Sequence, residues 1–138
     1  MIVGQSAGGW GTLALASRNP ERVATFINFS GARGRGAEGK EGDKVYCSTE
    51  ALVAAAGTFG KSARRATLWI YAKNDTRVGP GLLRRLYATY AKNGGKAQYE
   101  LLPPFGKEGH DLFFGKGGSK IWGPIVDRWL STQARVNH

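Results

Sequence analysis

One motif has the spacing that serine nucleophiles use, G-Q-S-A-G at residues 4–8, with a glycine two positions before Ser6 and another two positions after. In a chain with 21 glycines this match alone is weak, so its surroundings decide its meaning. An apolar strand precedes the serine and an alanine-rich helix follows, as a nucleophile elbow requires. We expect Gly4 and Gly8 to let strand and helix pass closely. The Ala7 N–H would then face a developing oxyanion at the helix N-terminus.

A serine hydroxyl needs a base to become a useful nucleophile, and the chain has two histidines. His138 is the last residue, where chains fray. His110 lies after the last predicted strand, in G-K-E-G-H-D-L-F, where a glycine-rich turn can bring an imidazole over the sheet edge. A lone histidine is more often structural, but its pairing with an elbow serine favours His110 as the general base.

A carboxylate must orient the base, and Asp75 is the best placed. It lies just beyond the strand that ends near Ala72, at the end of parallel strands where catalytic groups collect. The structural alternative is a turn-forming role after Asn74. The other aspartates lie in a glycine-rich loop, next to His110 or on the last helix: Asp43, Asp111 and Asp127.

The apolar pattern predicts four strands alternating with four helices. Strands are expected at 1–5, 23–30, 66–72 and 97–102, and helices at 7–18, from Ser48 to about Phe59, from Gly79-Pro80 to about Lys92, and through Ile121–Leu130. Pro124 leaves the start of the last helix undefined. Such alternation indicates an α/β fold, a three-layer parallel sheet with helices on both faces. Residues 1–138 are expected to form a single domain.

Residues 31–44 contain five glycines mixed with charges, which predicts a mobile loop. The alternative is an Arg-Gly segment that touches RNA. Two arginines with interleaved acids favour the loop.

The segments G-Q-S-A-G-G-W-G, Y-A-K-N-D and P-P-F-G-K-E-G-H-D-L-F resemble the dienelactone hydrolase-like branch of the α/β-hydrolase superfamily. The order Ser…Asp…His is that of the superfamily. The resemblance implies Ser6 as nucleophile, His110 as general base, Asp75 as orienting acid and the Ala7 amide as one oxyanion donor. It covers the C-terminal half of that fold. Dienelactone hydrolases proper use a cysteine nucleophile, so Ser6 points to ordinary carboxylic esters.

Several strands precede the elbow in this superfamily, and one of their loops supplies the second oxyanion N–H. This chain holds neither, and loss of one donor costs about a hundred- to a thousand-fold in rate. Activity impaired by truncation is therefore expected. The first strand would also lie exposed at a sheet edge, which predicts a homo-oligomer joined near residues 1–5.

Bulk composition narrows the alternatives. With 41% hydrophobic and 22% charged residues, no long apolar run and no signal peptide, the sequence predicts a globular protein without a membrane segment. It would be cytoplasmic if Met1 is the true start, and export is open if an N-terminal segment is missing. Cys47, the one cysteine, excludes an internal disulfide and a cysteine-based zinc cluster. It is expected to be a small buried residue, or to pair with a cysteine outside this sequence. Neither a metal nor an organic cofactor is expected.

Three functions are compatible with these residues. The leading one is a serine hydrolase that cleaves small-molecule carboxylic esters through an acyl-Ser6 intermediate. The second is an inactive hydrolase fragment or a basic binding module, motivated by a net charge of +10, although no nucleic-acid motif accompanies the charge. The third is an acyltransferase or peptidase on the same scaffold. Apolar residues proposed to line the pocket are Trp10, Phe105, Phe113 and Phe114.

Overall fold

The structure, a computed structural model, describes residues 1–33 and 48–136 and shows strands alternating with helices. In chain order the elements are β1 (Ile2–Gln5), α1 (Ala7–Ala16), β2 (Phe26–Phe29), α2 (Thr49–Ser62), β3 (Thr67–Ala72), α3 (Pro80–Lys92), β4 (Ala97–Leu102), a 3₁₀ turn (Gly109–Asp111) and α4 (Gly118–Val136).

The four described strands form one parallel sheet in the order β1-β2-β3-β4. Each strand pairs with the next in sequence, and parallel crossovers share one hand, so α1, α2 and α3 all cover the same face. Helix α4 follows the last strand and covers the opposite face. The predicted three-layer α/β architecture with helices on both faces is therefore confirmed.

Side chains alternate across β2 and β3, as the period of two requires. Phe26, Trp69 and Tyr71 point to α1–α3 and pack with buried side chains of those helices. Ile27, Phe29, Leu68, Ile70 and Ala72 point to α4. Every residue of β3 is buried, because both faces of this strand are covered.

Local sequence signals explain where most elements begin and end. Ser48 caps α2 by accepting a 3.1 Å hydrogen bond from Ala51 N–H, as predicted. Pro80 occupies the first turn of α3, where its missing N–H costs nothing. Gly94, with φ 107°, follows the end of that helix in a conformation that favours glycine. These three boundaries agree with the sequence prediction.

Several predicted elements differ in length from the observed ones. Helix α2 continues to Ser62 rather than ending near Phe59, and α4 spans Gly118–Val136 rather than Ile121–Leu130.

The strand expected at 23–30 spans only Phe26–Phe29, and Ser30, which follows it directly, has a φ of 51° that ends the extended backbone. The helix expected at 7–18 ends at Ala16. Its buried face includes Trp10, Leu13 and Ala16, whereas Ala14 and Leu15 are only partly buried.

Helix α4 continues through Pro124, which removes one backbone donor from its interior. The carbonyl left without that donor belongs to Lys120, an exposed residue that water can reach. Ile125 and Trp129 are buried against the sheet, and Trp129 Nε1–H donates a 2.9 Å hydrogen bond to Thr25 Oγ1. This packing holds the helix together across the proline.

Strand β1 forms one edge of the described sheet, where Met1 and Val3 are exposed. Self-association through this edge stays a prediction. No helix in the described parts of the chain is long and apolar enough to cross a bilayer. Cys47, Asp43, His138 and most of the predicted glycine-rich loop lie outside the described residues.

Candidate active site

Ser6 lies at the junction of β1 and α1 with φ 57° and ψ −120°. Residues other than glycine adopt this backbone conformation at a cost of about 1–3 kcal/mol. Two backbone bonds hold it there. Its N–H donates to Phe29 O at 2.9 Å, and its carbonyl accepts from Trp10 N–H at 3.0 Å. A serine at this position often caps the helix, but the Ser6 hydroxyl makes no capping bond. The hydroxyl is left for other chemistry.

The close approach behind the elbow involves Gly4 and Gly9. A Cβ on Gly4 would lie 2.1 Å from Gly8 O and 2.4 Å from Thr12 Oγ1, and a Cβ on Gly9 would lie 2.4 Å from Asn28 Oδ1. A Cβ on Gly8 would meet nothing within 4 Å. The expectation that Gly8 must be small is therefore wrong. It is the carbonyl of Gly8 that approaches the strand.

A buried polar chain lies beneath the elbow. Asn28 Nδ2–H donates to Tyr71 Oη at 3.0 Å, and Tyr71 donates to Gly31 O at 3.0 Å. Burial is the main cause that raises the pKa of Tyr71 well above its ordinary value, so the phenol stays protonated and keeps donating. These hydrogen bonds join β3 to the end of β2 beneath Ser6.

His110 occupies the 3₁₀ turn and is 8% exposed. Its Nε2 lies 2.8 Å from Ser6 Oγ, within hydrogen-bond distance. Its backbone carbonyl accepts a 3.0 Å bond from Gln5 Nε2–H. The residue before the serine therefore holds the backbone of the histidine, and strand β1 positions both groups.

Asp75 follows β3 and contacts the other ring nitrogen of His110. Nδ1 lies 3.0 Å from Oδ2 and 3.2 Å from Oδ1. Asp75 is only 3% exposed, and Oδ1 also accepts from the N–H groups of Arg77 (2.8 Å) and Val78 (2.9 Å). These donors fix the orientation of the Asp75 side chain. The structure thus brings Ser6, His110 and Asp75 into one connected line.

Glu108 joins the loop that carries Asp75 to the loop that carries His110. Its Oε1 accepts from Thr76 N–H and His110 N–H, each at 3.0 Å, and its Oε2 accepts from Thr76 Oγ1–H at 2.7 Å. Partial burial acts to raise the pKa of Glu108, but the bonds from Thr76 and His110 outweigh it and bring the pKa below its ordinary value of 4.5.

Asn74 forms a second connection between the same two loops. Its side chain donates to Phe105 O at 3.1 Å and accepts from Phe105 N–H at 2.8 Å, while its carbonyl accepts from Gly109 N–H at 3.2 Å. A Cβ on Gly109 would lie 2.7 Å from the Asp75 nitrogen, so glycine is required for this approach. The loop that carries His110 is therefore fixed on the loop that carries Asp75.

Sequence reasoning missed Glu108, Gln5 and Asn74 as supporting residues. Gln5 and Asn74 directly precede Ser6 and Asp75, and Glu108 lies two residues before His110. Polar side chains next to each candidate site residue were the available signal. Thr76, the partner of Glu108, lies 32 residues away and could not be paired with it from the sequence.

The predicted pocket residues divide into two groups. Trp10 was assigned wrongly, because it is buried between sheet and helices with its ring 5.4 Å from that of Phe59. Phe105 and Phe113 pack on the α4 face, and Phe113 stacks on Trp122 with ring centroids 5.4 Å apart. Phe114 is 77% exposed. A pocket-lining role for these three phenylalanines stays a prediction.

The arrangement contains the parts of acyl-transfer chemistry. The Ser6 hydroxyl faces the His110 imidazole, and the imidazole faces the buried Asp75 carboxyl group. The hydroxyl also lies at a helix N-terminus whose first N–H groups have no intrahelical acceptor. Within residues 1–33 and 48–136, no three His, Cys, Asp or Glu side chains come together as a metal site would require.

Solved structures with a similar fold are hydrolases. Est1E from Butyrivibrio proteoclasticus superposes with a TM-score of 0.63 at 13% identity, over 96% of this chain and 60% of that one. A protein assigned as a dienelactone hydrolase from Klebsiella pneumoniae gives 0.62 at 12%, over 94% and 51%. The Pyrococcus furiosus esterase Pf2001 gives 0.56 at 12%, over 93% and 52%. No family model and no curated protein sequence matches the chain.

These similarities show that the chain has part of the α/β-hydrolase fold, as its resemblance to dienelactone hydrolase-like proteins implied. The chain spans between about half and three fifths of the length of the three structures. At 12–13% identity, the similarity to these structures extends to the fold alone.

Proposed function

We propose that this chain carries the catalytic residues of a serine hydrolase that cleaves carboxylic esters through an acyl-Ser6 intermediate. The observation that supports it most directly is the continuous contact from Ser6 Oγ to His110 Nε2 (2.8 Å) and from His110 Nδ1 to Asp75 Oδ2 (3.0 Å). The strained backbone of Ser6 is a second, independent support, because it holds the hydroxyl clear of the capping bond that a helix would otherwise take.

In the first half-reaction, Ser6 Oγ attacks the ester carbonyl carbon while its proton passes to His110 Nε2. Asp75 accepts the Nδ1–H bond and stabilises the imidazolium that forms. The carbonyl oxygen becomes an oxyanion, which the Ala7 N–H and the α1 N-terminus would stabilise. The bond to the leaving alkoxide then breaks. The alkoxide takes the proton from Nε2 and leaves as the alcohol.

In the second half-reaction, water replaces the alcohol. His110 Nε2 accepts a proton from the water as its oxygen attacks the acyl carbon. The bond to Ser6 Oγ breaks, and the serine recovers its proton from Nε2. The products are a carboxylic acid and the original site, so neither a metal nor an organic cofactor enters the balance.

Hydrogen bonds to the backbone of His110 would keep its imidazole in place through each catalytic cycle. Gln5 holds the His110 carbonyl, and Glu108 holds its N–H. The imidazole therefore stays over Ser6 while its charge changes. Backbone N–H groups on Asp75 Oδ1 keep the carboxylate oriented through the same changes.

A fluorophosphonate tests the proposal, because it forms a stable adduct only on an activated serine. Intact mass of the folded chain should show one adduct, mapped to Ser6 by peptide mass. It should be absent in Ser6→Ala and His110→Ala and present in Ser131→Ala, a control serine on the exposed face of α4. Hydrolysis of p-nitrophenyl acetate should follow the same pattern. A folded wild-type chain that gains no adduct would contradict the proposal.

A further inference from the structure

The amino ends of the strands lie opposite the end of the sheet that holds Ser6, His110 and Asp75. They carry cations that take no part in the proposed ester hydrolysis. Arg64 and Arg65 precede β3, and Lys96 precedes β4, so all three lie where strands begin rather than where they end. Together with Gln133 of α4 they line a cavity of ≈ 200 Å³, whose remaining wall includes Ala24 and Ala66. We call this the amino-edge cavity. At about 3.3 Å a residue, the six residues of β3 separate it from the Asp75 end by about 20 Å.

Arg64 is held in place before any ligand arrives. Its Nη1–H donates to Lys61 O at 3.1 Å and to Ala63 O at 3.4 Å, and its backbone N–H donates to Asn19 Oδ1 at 2.8 Å. Asn19 in turn donates to Ser62 O at 2.8 Å. Because these bonds fix the guanidinium, an anion that binds it orders less of the side chain on binding.

The positive charge of the amino-edge cavity is not balanced by the described residues around it. Arg65 and Lys96 are exposed, and no ion pair joins them to any carboxylate within residues 1–33 and 48–136. The last turn of α4 contributes Gln133 and the partial negative charge of a helix C-terminus, about half an elementary charge. Three formal positive charges therefore exceed the available negative charge several-fold.

We infer that the amino-edge cavity binds a small phosphate-bearing anion. Guanidinium groups offer paired donors that match phosphate oxygens, and an ammonium adds a third contact. Gln133 can donate from its amide, and the alanine walls leave room near the backbone. A volume of ≈ 200 Å³ corresponds to about seven waters at about 30 Å³ each, which is room for a phosphate with a short polar extension.

An adjoining cavity of ≈ 240 Å³ extends the same edge. It shares Ala24 and Arg65 with the first and adds Arg22. A second phosphate could therefore contact Arg22 and Arg65 while the first contacts Arg64 and Lys96. The two adjoining cavities together offer cations to two linked phosphates, as a diphosphate carries. This inference does not depend on the proposed esterase activity.

Inorganic pyrophosphate titrated into the full chain tests the inference by amide NMR at low ionic strength. Saturable shifts are expected at Arg65, Lys96 and Gln133, with none at Ser6 or His110. Affinity should fall at least about tenfold in Arg65→Ala/Lys96→Ala, because two of the contacts are lost. It should persist in Arg84→Ala/Lys120→Ala, which removes the same charge from exposed positions on α3 and α4.

Three outcomes would overturn the inference. One is the absence of saturable shifts in the wild-type chain, a result that does not depend on any variant folding. Another is an equal loss of affinity in both double variants, which would mean diffuse attraction. The third is binding to vesicles of phosphatidylcholine with phosphatidylglycerol that requires Arg65 and Lys96 while pyrophosphate has no effect. That result would assign the cations to a lipid surface.

Discussion

Thr76 Oγ1–H donates a 2.7 Å hydrogen bond to Glu108 Oε2, and this contact joins the segment after β3 to the segment after β4. The same carboxylate accepts from Thr76 N–H and His110 N–H. Glu108 touches no reacting atom of the proposed mechanism. In that mechanism it would be a positioning residue, which holds the proposed base His110 against the proposed acid Asp75.

Replacement of Glu108 by alanine should slow fluorophosphonate labelling by about ten- to a hundredfold, because small displacements of a base are costly. Glu108→Gln should restore most of the rate at neutral pH. Its amide oxygen can accept the two N–H bonds, and its NH₂ can donate to the Thr76 hydroxyl. The control is Glu21→Gln, an exposed position outside the site. Equal rates in the alanine variant and wild type would exclude the positioning role.

Glu108 also predicts a pH dependence of stability. The folded state lowers the pKa of Glu108 below 4.5, so its bonds contribute stability that is complete above the unfolded pKa. That contribution is lost as the pH falls through the folded pKa. Unfolding by urea at pH 7 and at pH 3 should show a larger loss in wild type than in Glu108→Gln, whose side chain does not titrate. A larger acid-induced loss in the variant would contradict the sign of the shift.

Asp75→Asn should reduce labelling and ester turnover by about three to four orders of magnitude while leaving the fold intact. An asparagine can present its NH₂ to Nδ1, which favours the tautomer with the proton on Nε2 and removes the acceptor that Ser6 needs. Steady-state kinetics with p-nitrophenyl acetate measures the effect, and circular dichroism controls for folding. Turnover within tenfold of wild type would mean that Asp75 is only a turn residue.

Backbone strain at Ser6 can be measured with two variants that both lack the hydroxyl. Ser6→Gly should be more stable than Ser6→Ala by about 1 kcal/mol or more, because glycine adopts φ 57° without the Cβ penalty. Both variants lose the contact to His110, so their difference isolates the backbone. Urea denaturation of the two proteins gives this difference. A more stable alanine variant would show that the elbow is not strained.

The two elbow glycines are expected to respond oppositely to alanine. Gly4→Ala would place a Cβ 2.1 Å from Gly8 O and should destabilise the chain by about 1–3 kcal/mol. Gly8→Ala places a Cβ in open space on helix α1 and should stabilise the folded chain by up to about 1 kcal/mol. Thermal unfolding compares them directly. Similar destabilisation by both would mean that Gly8 also has a steric role.

Pairing through the exposed β1 edge can be tested by proline substitution. Ile2 N–H and Ser6 N–H donate toward β2, so the alternating pattern directs Val3 N–H to the open side. If copies associate there, wild type should sediment as a dimer or larger species at micromolar concentration, and Val3→Pro should shift it to monomer. Purely monomeric wild type would contradict the predicted homo-oligomer.

Single residues and the periodic spacing of apolar residues predicted much of this fold. Ser48, Pro80 and Gly94 set boundaries through local backbone chemistry, and the alternation of strands and helices indicated a parallel sheet with helices on both faces. The end of β2 was missed because residue composition does not report that Ser30 takes a positive φ. Ser6, Asp75 and His110 were selected by type and order, which a shared sheet edge converts into proximity.

Contacts between distant segments account for what the sequence did not reveal. The pairing of Thr76 with Glu108 and of Gln5 with the His110 carbonyl depends on loop geometry that no periodic pattern contains. The prediction that Trp10 lines the pocket was wrong because an aromatic side chain near the elbow is equally suited to a pocket and to a core. Only its packing against Phe59 distinguishes the two.

The distance along the chain between Ser6 and His110, 104 residues, has a consequence for how the protein is made. Because synthesis runs from Ser6 towards His110, the proposed nucleophile leaves the ribosome well before its proposed base. Trp129 and Thr25 are joined across an equal span, so α4 must also be present before the sheet is covered on its second face. Until His110 has been made and folded against it, Ser6 is an ordinary alcohol. Under the proposed mechanism, its reactivity would begin only once these distant segments have come together.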